Sequence, residues 1–157
     1  MCPNRAILAV IFLASFWVAP AIAETENGLV GVWEMIALRN DKGLERPPPF
    51  PLNHLIFSAE GYFSQTALPV KRPKINKSME KLTREELLSR FKNLSARFGT
   101  YEVSGSQLMR WTYSHSNPNR ENYVTTCEFR IEGDVMTLTH SGTKSEAKWR
   151  RLNPTSP

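Results

Sequence analysis

Short apolar runs broken by tight-turn residues recur from Leu29 to Leu152, and no other feature of the chain narrows its fold so far. The turn signals are Asn40-Asp41-Lys42-Gly43, Ala59-Glu60-Gly61, Ser104-Gly105-Ser106, Glu132-Gly133-Asp134 and Ser141-Gly142-Thr143. Gly, Asn and Asp supply the backbone conformations that tight turns need. Between the turns the pattern predicts eight strands: Leu29–Leu38, His54–Ser58, Tyr62–Leu68, Thr100–Val103, Gln107–Ser114, Asn122–Ile131, Asp134–His140 and Ser145–Leu152. Regularly spaced short strands point to a barrel or a sandwich. Eight antiparallel strands in an up-and-down order close into a barrel with room for one small ligand, and closure removes exposed strand edges. The run Arg46-Pro47-Pro48-Pro49-Phe50-Pro51 has too few backbone donors for a sheet ladder and reads as a stiff loop.

One stretch changes period. Leu82, Leu87, Phe91, Leu94 and Phe98 fall on one helical stripe, and Thr83-Arg84-Glu85-Glu86 is a capping box. The expectation is an inserted α-helix over about Arg84 to Ala96 with its apolar stripe against the sheet.

The start of the chain reads as a leader. Ala6 to Val18 is an almost unbroken apolar run, preceded only by the charge of Arg5. It is too short for a membrane span and ends at Pro20 and Ala21-Ile22-Ala23, a small-x-small cleavage site. Residues 1–23 are therefore expected to be a signal peptide cleaved after Ala23, leaving residues 24–157 as one mature domain in the periplasm or outside the cell. Cleavage removes Cys2 and leaves Cys127 without an internal disulfide partner.

Charge excludes one partner class. The full chain of 157 residues carries a formal +5, but its Lys and Arg are interspersed with Asp and Glu. With export added, nucleic acid is not an expected partner. The one basic cluster, Lys71-Arg72-Pro73-Lys74 with Lys77 and Lys81, reads as a solvated loop, with weak contact to an anionic membrane surface as the sharper reading.

Several segments carry a family resemblance. Gly31-Val32-Trp33 resembles the lipocalin opening Gly-x-Trp, and Ala147-Lys148-Trp149-Arg150-Arg151 looks like the closing strand of the bacterial lipocalin-like domain family. Leu55-Ile56-Phe57 with Glu60-Gly61-Tyr62-Phe63-Ser64, Gly99-Thr100-Tyr101-Glu102-Val103, and Phe129-Arg130-Ile131-Glu132-Gly133-Asp134 are similar to its intervening strand-turn segments. The resemblance spans Leu29 to Leu152 and implies a calycin-type barrel, mainly β and lipocalin-like. It implies no reaction. The acidic residue of the usual second lipocalin motif has no clear counterpart. In the opening motif Gly31 allows the chain to bend and Trp33 closes the barrel floor. Arg150 or Arg151, beside Trp149, is expected to lie across the Trp33 ring as a cation–π partner.

Strand alternation then nominates an interior. Met109, Trp111, Tyr113 and His115 share one face of their strand, and Tyr123, Thr125, Cys127, Phe129 and Ile131 share one face of the next. With Phe57 and Phe63 these sets are expected to line an apolar cavity with a few polar groups. The ligand-binding candidates are Phe57, Phe63, Met109, Trp111, Tyr113, His115, Thr125 and Cys127, and the ligand expected is small and apolar or amphipathic. His54, His115 and His140 are the only histidines, and no two lie at metal-ligand spacing, so no metal is expected; no cofactor is expected either, with haem on one of these histidines as a further alternative. Nucleophile-elbow, phosphate-loop and dinucleotide motifs are missing. His115 with Tyr113 is the one acid–base pair on offer, for a small isomerase or cyclase using the same pocket. A third reading is an envelope interaction module with a filled barrel. An open interior favours the first two readings and a filled one the third.

Overall fold

The computed structural model describes residues 28–69, 74–92 and 94–153; the expected leader lies outside them. The strands are β1 (Gly31–Arg39), β2 (Glu45–Arg46), β3 (Leu52–Phe57), β4 (Tyr62–Leu68), β5 (Ser95–Ser104), β6 (Gln107–His115), β7 (Tyr123–Glu132), β8 (Val135–His140) and β9 (Glu146–Leu152). Each strand from β3 to β9 pairs antiparallel with the next, β1 pairs with β3, and β9 returns to pair with β1. The result is a closed eight-stranded barrel, with the two-residue β2 as an extra pairing on the end of β1.

Connections differ at the two ends of the barrel. One end carries the tight turns at residues 58–61, 105–106 and 133–134. The other carries the longer connections, residues 40–51, 69–94, 116–122 and 141–145, with the proline loop among them. The tight-turn end is filled. Trp33, Leu55, Phe57, Phe63, Leu108, Met136, Leu138 and Trp149 are each no more than 2% exposed and form a continuous apolar core. Tyr101 packs edge-on against Phe57 at 4.9 Å between centroids and donates its hydroxyl to Ser58 O at 2.7 Å.

The chain clasps this end shut as the Gly-x-Trp resemblance implied. Arg151, not Arg150, lies over Trp33, 4.2 Å from the ring centroid. Gly31 has a φ of +139°, and a Cβ there would come within 2.7 Å of Arg151 Nη1. Only glycine leaves the guanidinium its place. Arg150 points the other way, to Glu34 at 2.9 Å.

The helix is shorter and barer than its sequence period predicts. Helix α1 spans Arg84–Phe91 and has the expected capping box: Glu86 N donates to Thr83 Oγ1 at 3.2 Å, and Thr83 N donates to Glu86 Oε2 at 2.9 Å. It buries no residue, and Leu88 and Phe91 are more than half exposed. From Ser95 the chain is β5, because pairing to both β4 and β6 offers each residue a ladder that an isolated helical extension lacks. Phe98, read as part of the stripe, instead stacks on Tyr62 at 5.8 Å and is 44% exposed.

Candidate functional site

Above the apolar core the barrel interior turns polar and opens. A cavity of about 440 Å3 lies at the long-connection end. Arg97 of β5, Thr112 and His115 of β6, Thr125 of β7 and His140 of β8 face it, and Asn119, Arg120 and Tyr123 rim it.

A β-bulge decides which side chains of β6 reach this space. Gly99 pairs with Thr112 and Phe98 with Ser114, so Tyr113 is an extra residue. Such an insertion reverses the alternation beyond it. Leu108, Arg110 and Thr112 face inward below the bulge, each at most 2% exposed, and His115 faces inward above it. This corrects the face expected for the strand. Met109 and Trp111 alternate with these buried residues and lie on the outer face, only half-buried. Tyr113 is 53% exposed and bonds Thr100 Oγ1 at 2.7 Å outside the barrel. The bulge therefore separates Tyr113 from His115, and the two do not form the expected acid–base pair. Phe57 and Phe63 face inward but belong to the packed core rather than to the cavity wall. On β7 the expected face is the inner one, since Cys127 and Phe129 are buried and Thr125 lines the cavity.

The polar interior is linked from strand to strand. Asn53 Nδ2 lies 3.4 Å from Met35 Sδ, and Gln65 Nε2 donates to Asn53 Oδ1 at 3.0 Å. Gln65 Oε1 in turn accepts from Arg97 Nε at 2.9 Å and from Arg97 Nη2. Deeper in, Arg110 Nη2 lies 3.7 Å from Cys127 Sγ, which lies 3.5 Å from His140 Nδ1. The Arg110 and Arg97 guanidinium carbons sit 5.5 and 6.0 Å from the Phe63 ring centroid, so that ring forms an apolar floor under both cations. Arg110 is 2% exposed, yet its Nε and Nη1 have no hydrogen-bond partner. Among the described residues neither Arg97 nor Arg110 has a salt bridge.

Burial dominates the electrostatics. It lowers the Arg97 pKa, with help from the Arg110 charge, to about 9, which leaves the group charged at neutral pH. Burial also lowers Arg110, opposed by the Cys127 sulfur. His140 is lowered by burial first, then by Arg110 and Arg97. His115 is lowered by burial, then by Arg97 and Arg120, with Glu121 opposing. Asn117 N donates to His115 Nδ1 at 2.8 Å, so the neutral ring carries its proton on Nε2. Among the described residues no group of His, Cys, Asp and Glu is arranged to hold a metal ion.

Arg97, Thr112, Asn119, Arg120 and His140 are the cavity residues that alternation from the sequence did not nominate, and Arg110, the cross-strand partner of Thr125, is buried beneath them. Their signal is present but inverted. Leu108-x-Arg110-x-Thr112 is the inward face, and it is the more polar of the two.

The architecture is a closed eight-stranded antiparallel barrel with a lipocalin-like fold. Among solved structures it is similar to a lipocalin-like protein from Bacteroides uniformis, with a TM-score of 0.51 at 14% identity over 80% of this chain and 99% of that one. It is equally similar to an uncharacterized protein from Bacteroides eggerthii, with a TM-score of 0.51 at 9% identity over 79% of this chain and 99% of the other. At these identities the likeness establishes the fold alone. No family model matches the sequence, and no curated protein matches it.

Proposed function

We propose that the mature chain is exported and binds a small amphipathic molecule in the open half of its barrel. One observation carries this reading. The interior is filled with apolar side chains at one end and leaves a cavity of about 440 Å3, walled by hydrogen-bonding side chains, at the other. That volume lies within the range of about 300–1,000 Å3 usual for small-molecule sites. The polar walls favour an amphipathic ligand over a wholly apolar one, and Asn119 and Arg120 of the 116–122 connection stand at the cavity rim. Export rests on the apolar run Ala6 to Val18 and the cleavage signal Ala21-Ile22-Ala23. Of the basic cluster, Lys71 to Pro73 lie outside the described residues, and membrane-surface contact remains an idea for vesicle binding to test.

Native mass spectrometry of the protein purified from its own cells, followed by solvent extraction, tests the reading. A defined small-molecule adduct and an amino terminus at Glu24 are expected. A ligand-free mass, together with no retention of any compound from a lipid extract, overturns the binding role. An intact Met1 terminus overturns the export role.

A further inference from the structure

Arg110 is the least explained group in the molecule. It is a guanidinium at 2% exposure with two unpartnered N–H-bearing nitrogens, and among the described residues its hydrogen-bonding contact is with a sulfur at 3.7 Å. A buried charge without a counter-charge is strongly unfavourable, and proteins normally pair such a group. Here the surroundings make the imbalance worse. Arg97 and His140 face the cavity beside it, and Arg120 and His115 stand nearer the rim. Thr112, next on the same face of β6, and Thr125, the cross-strand partner of Arg110 on β7, line the cavity directly above it. Glu121 is a carboxylate that acts on this cluster, through His115 near the rim.

Arg97 carries the same message in a different form. Two of its nitrogens are held by Gln65 Oε1, and Asn53 holds the Gln65 amide in turn. A glutamine orients the guanidinium without neutralising it, whereas a glutamate at the same place would consume the charge. The site thus keeps one cation, Arg97, on the cavity wall and a second, Arg110, buried just beneath it, with a positioned neutral acceptor and hydroxyl donors around the same volume.

We infer that the cavity recognises an anionic group, a carboxylate or a phosphate, held at its floor by Arg97 and Arg110 with Thr112, Thr125 and His140 around it. This deepens the binding role proposed above and rests on it. The anion supplies the counter-charge that Arg110 lacks. Charge-assisted bonds from guanidinium to carboxylate or phosphate are among the strongest polar contacts a protein makes. The rest of the ligand extends toward the rim, past Tyr123.

Isothermal titration calorimetry with four probes tests the inference: octanoate, octyl phosphate, 1-octanol and inorganic phosphate. The expected result is that octanoate or octyl phosphate binds at least about tenfold more tightly than 1-octanol. That preference should vanish in Arg110→Met and weaken in Arg97→Gln. Arg110→Met should melt no lower than the wild type without ligand, because it removes an unpaired buried charge. If Arg110→Met does not fold, Arg97→Gln, on a half-buried side chain, decides in its place. Equal affinity for 1-octanol and the anions overturns the anion assignment while leaving the cavity as an amphiphile site. Inorganic phosphate binding as tightly as octyl phosphate upholds the anion site and overturns the amphipathic ligand. Binding of none of the four overturns both. Anion preference retained in both variants removes the two arginines from the site.

Discussion

Arg151 spans the closed end of the barrel with its guanidinium 4.2 Å from the centre of the Trp33 ring. The same guanidinium donates to Val30 O at 2.7 Å and to Gly28 O, while Trp33 Nε1 donates to Leu29 O at 2.8 Å. First strand, last strand and amino-terminal segment are thereby tied at one point. Trp33 is fully buried, so Trp33→Ala removes both ring packing and the surface on which Arg151 rests. The expected loss is about 3–5 kcal/mol in urea unfolding, as for other buried aromatic truncations. A loss below about 1 kcal/mol would contradict this clasp.

Gly99 lies at the bulge that sets the β6 interior. A Cβ there would fall 1.7 Å from Trp111 O and 3.0 Å from a Phe63 ring carbon. The first obstacle is backbone and cannot rotate away. Gly99→Ala is expected to cost about 3 kcal/mol, the upper end of ordinary overpacking, and to disturb the bulge. Thermal unfolding at the wild-type temperature in this variant would show that the bulge is not as tight as described.

Acid should weaken the ligand-free protein. The His140 pKa is lowered from its ordinary 6.5 by burial and by the nearby Arg110 and Arg97 charges. The unfolded chain therefore takes up the proton more readily than the folded one. The stability this neutral ring contributes is intact above about pH 6.5 and drains as pH falls through that value toward the lower folded pKa. His115 adds in the same direction. Melting temperature should fall between pH 7 and pH 5, and His140→Gln should flatten part of the fall. With an anion bound the sign reverses, since protonated His140 and His115 face a negative charge, and octanoate affinity should rise toward acid. A flat melting temperature over this interval in the wild type contradicts the placement of these rings.

Helix α1 should be thermodynamically nearly silent. Leu88 and Phe91 are 59% and 53% exposed, and the helix buries none of its residues. Leu88→Ser and Phe91→Ser are each expected to change stability by less than about 0.5 kcal/mol, the usual range for surface positions. A loss above about 1.5 kcal/mol in denaturant melts would mean that this face is covered.

Much of the fold was legible because turn residues and strand alternation are local signals. Glu60-Gly61 and Gly133-Asp134 mark observed turns, and seven of the eight strands form within about two residues of the expected runs, whereas the fourth starts at Ser95 rather than Thr100. The capping box Thr83–Glu86 likewise needs only four residues to specify itself. The site was less legible, for two physical reasons. Alternation gives two faces without saying which is inside, and on β6 the outer face, with Met109 and Trp111, is the more apolar. On the proposed reading the interior serves a ligand as well as packing, and Arg110 and Thr112 occupy positions that a core would fill with carbon. The bulge at Tyr113 depends on pairing with Phe98 and Gly99, residues fourteen or more positions away in the chain, and no local pattern announces it. The helix misreading has the same origin: Leu94 and Phe98 continue the helical period, but sheet pairing to β4 and β6 takes precedence from Ser95 onward.

The most direct test of the central claim is an NMR titration of the isotope-labelled mature protein with octanoate. The account predicts saturable shift changes at Thr112, Thr125, Cys127 and His140, with Leu55, Met136 and Trp149 of the packed end unmoved. Changes confined to the outer-face residues Met109 and Trp111, or none at millimolar octanoate, would contradict a binding site in the open half of the barrel.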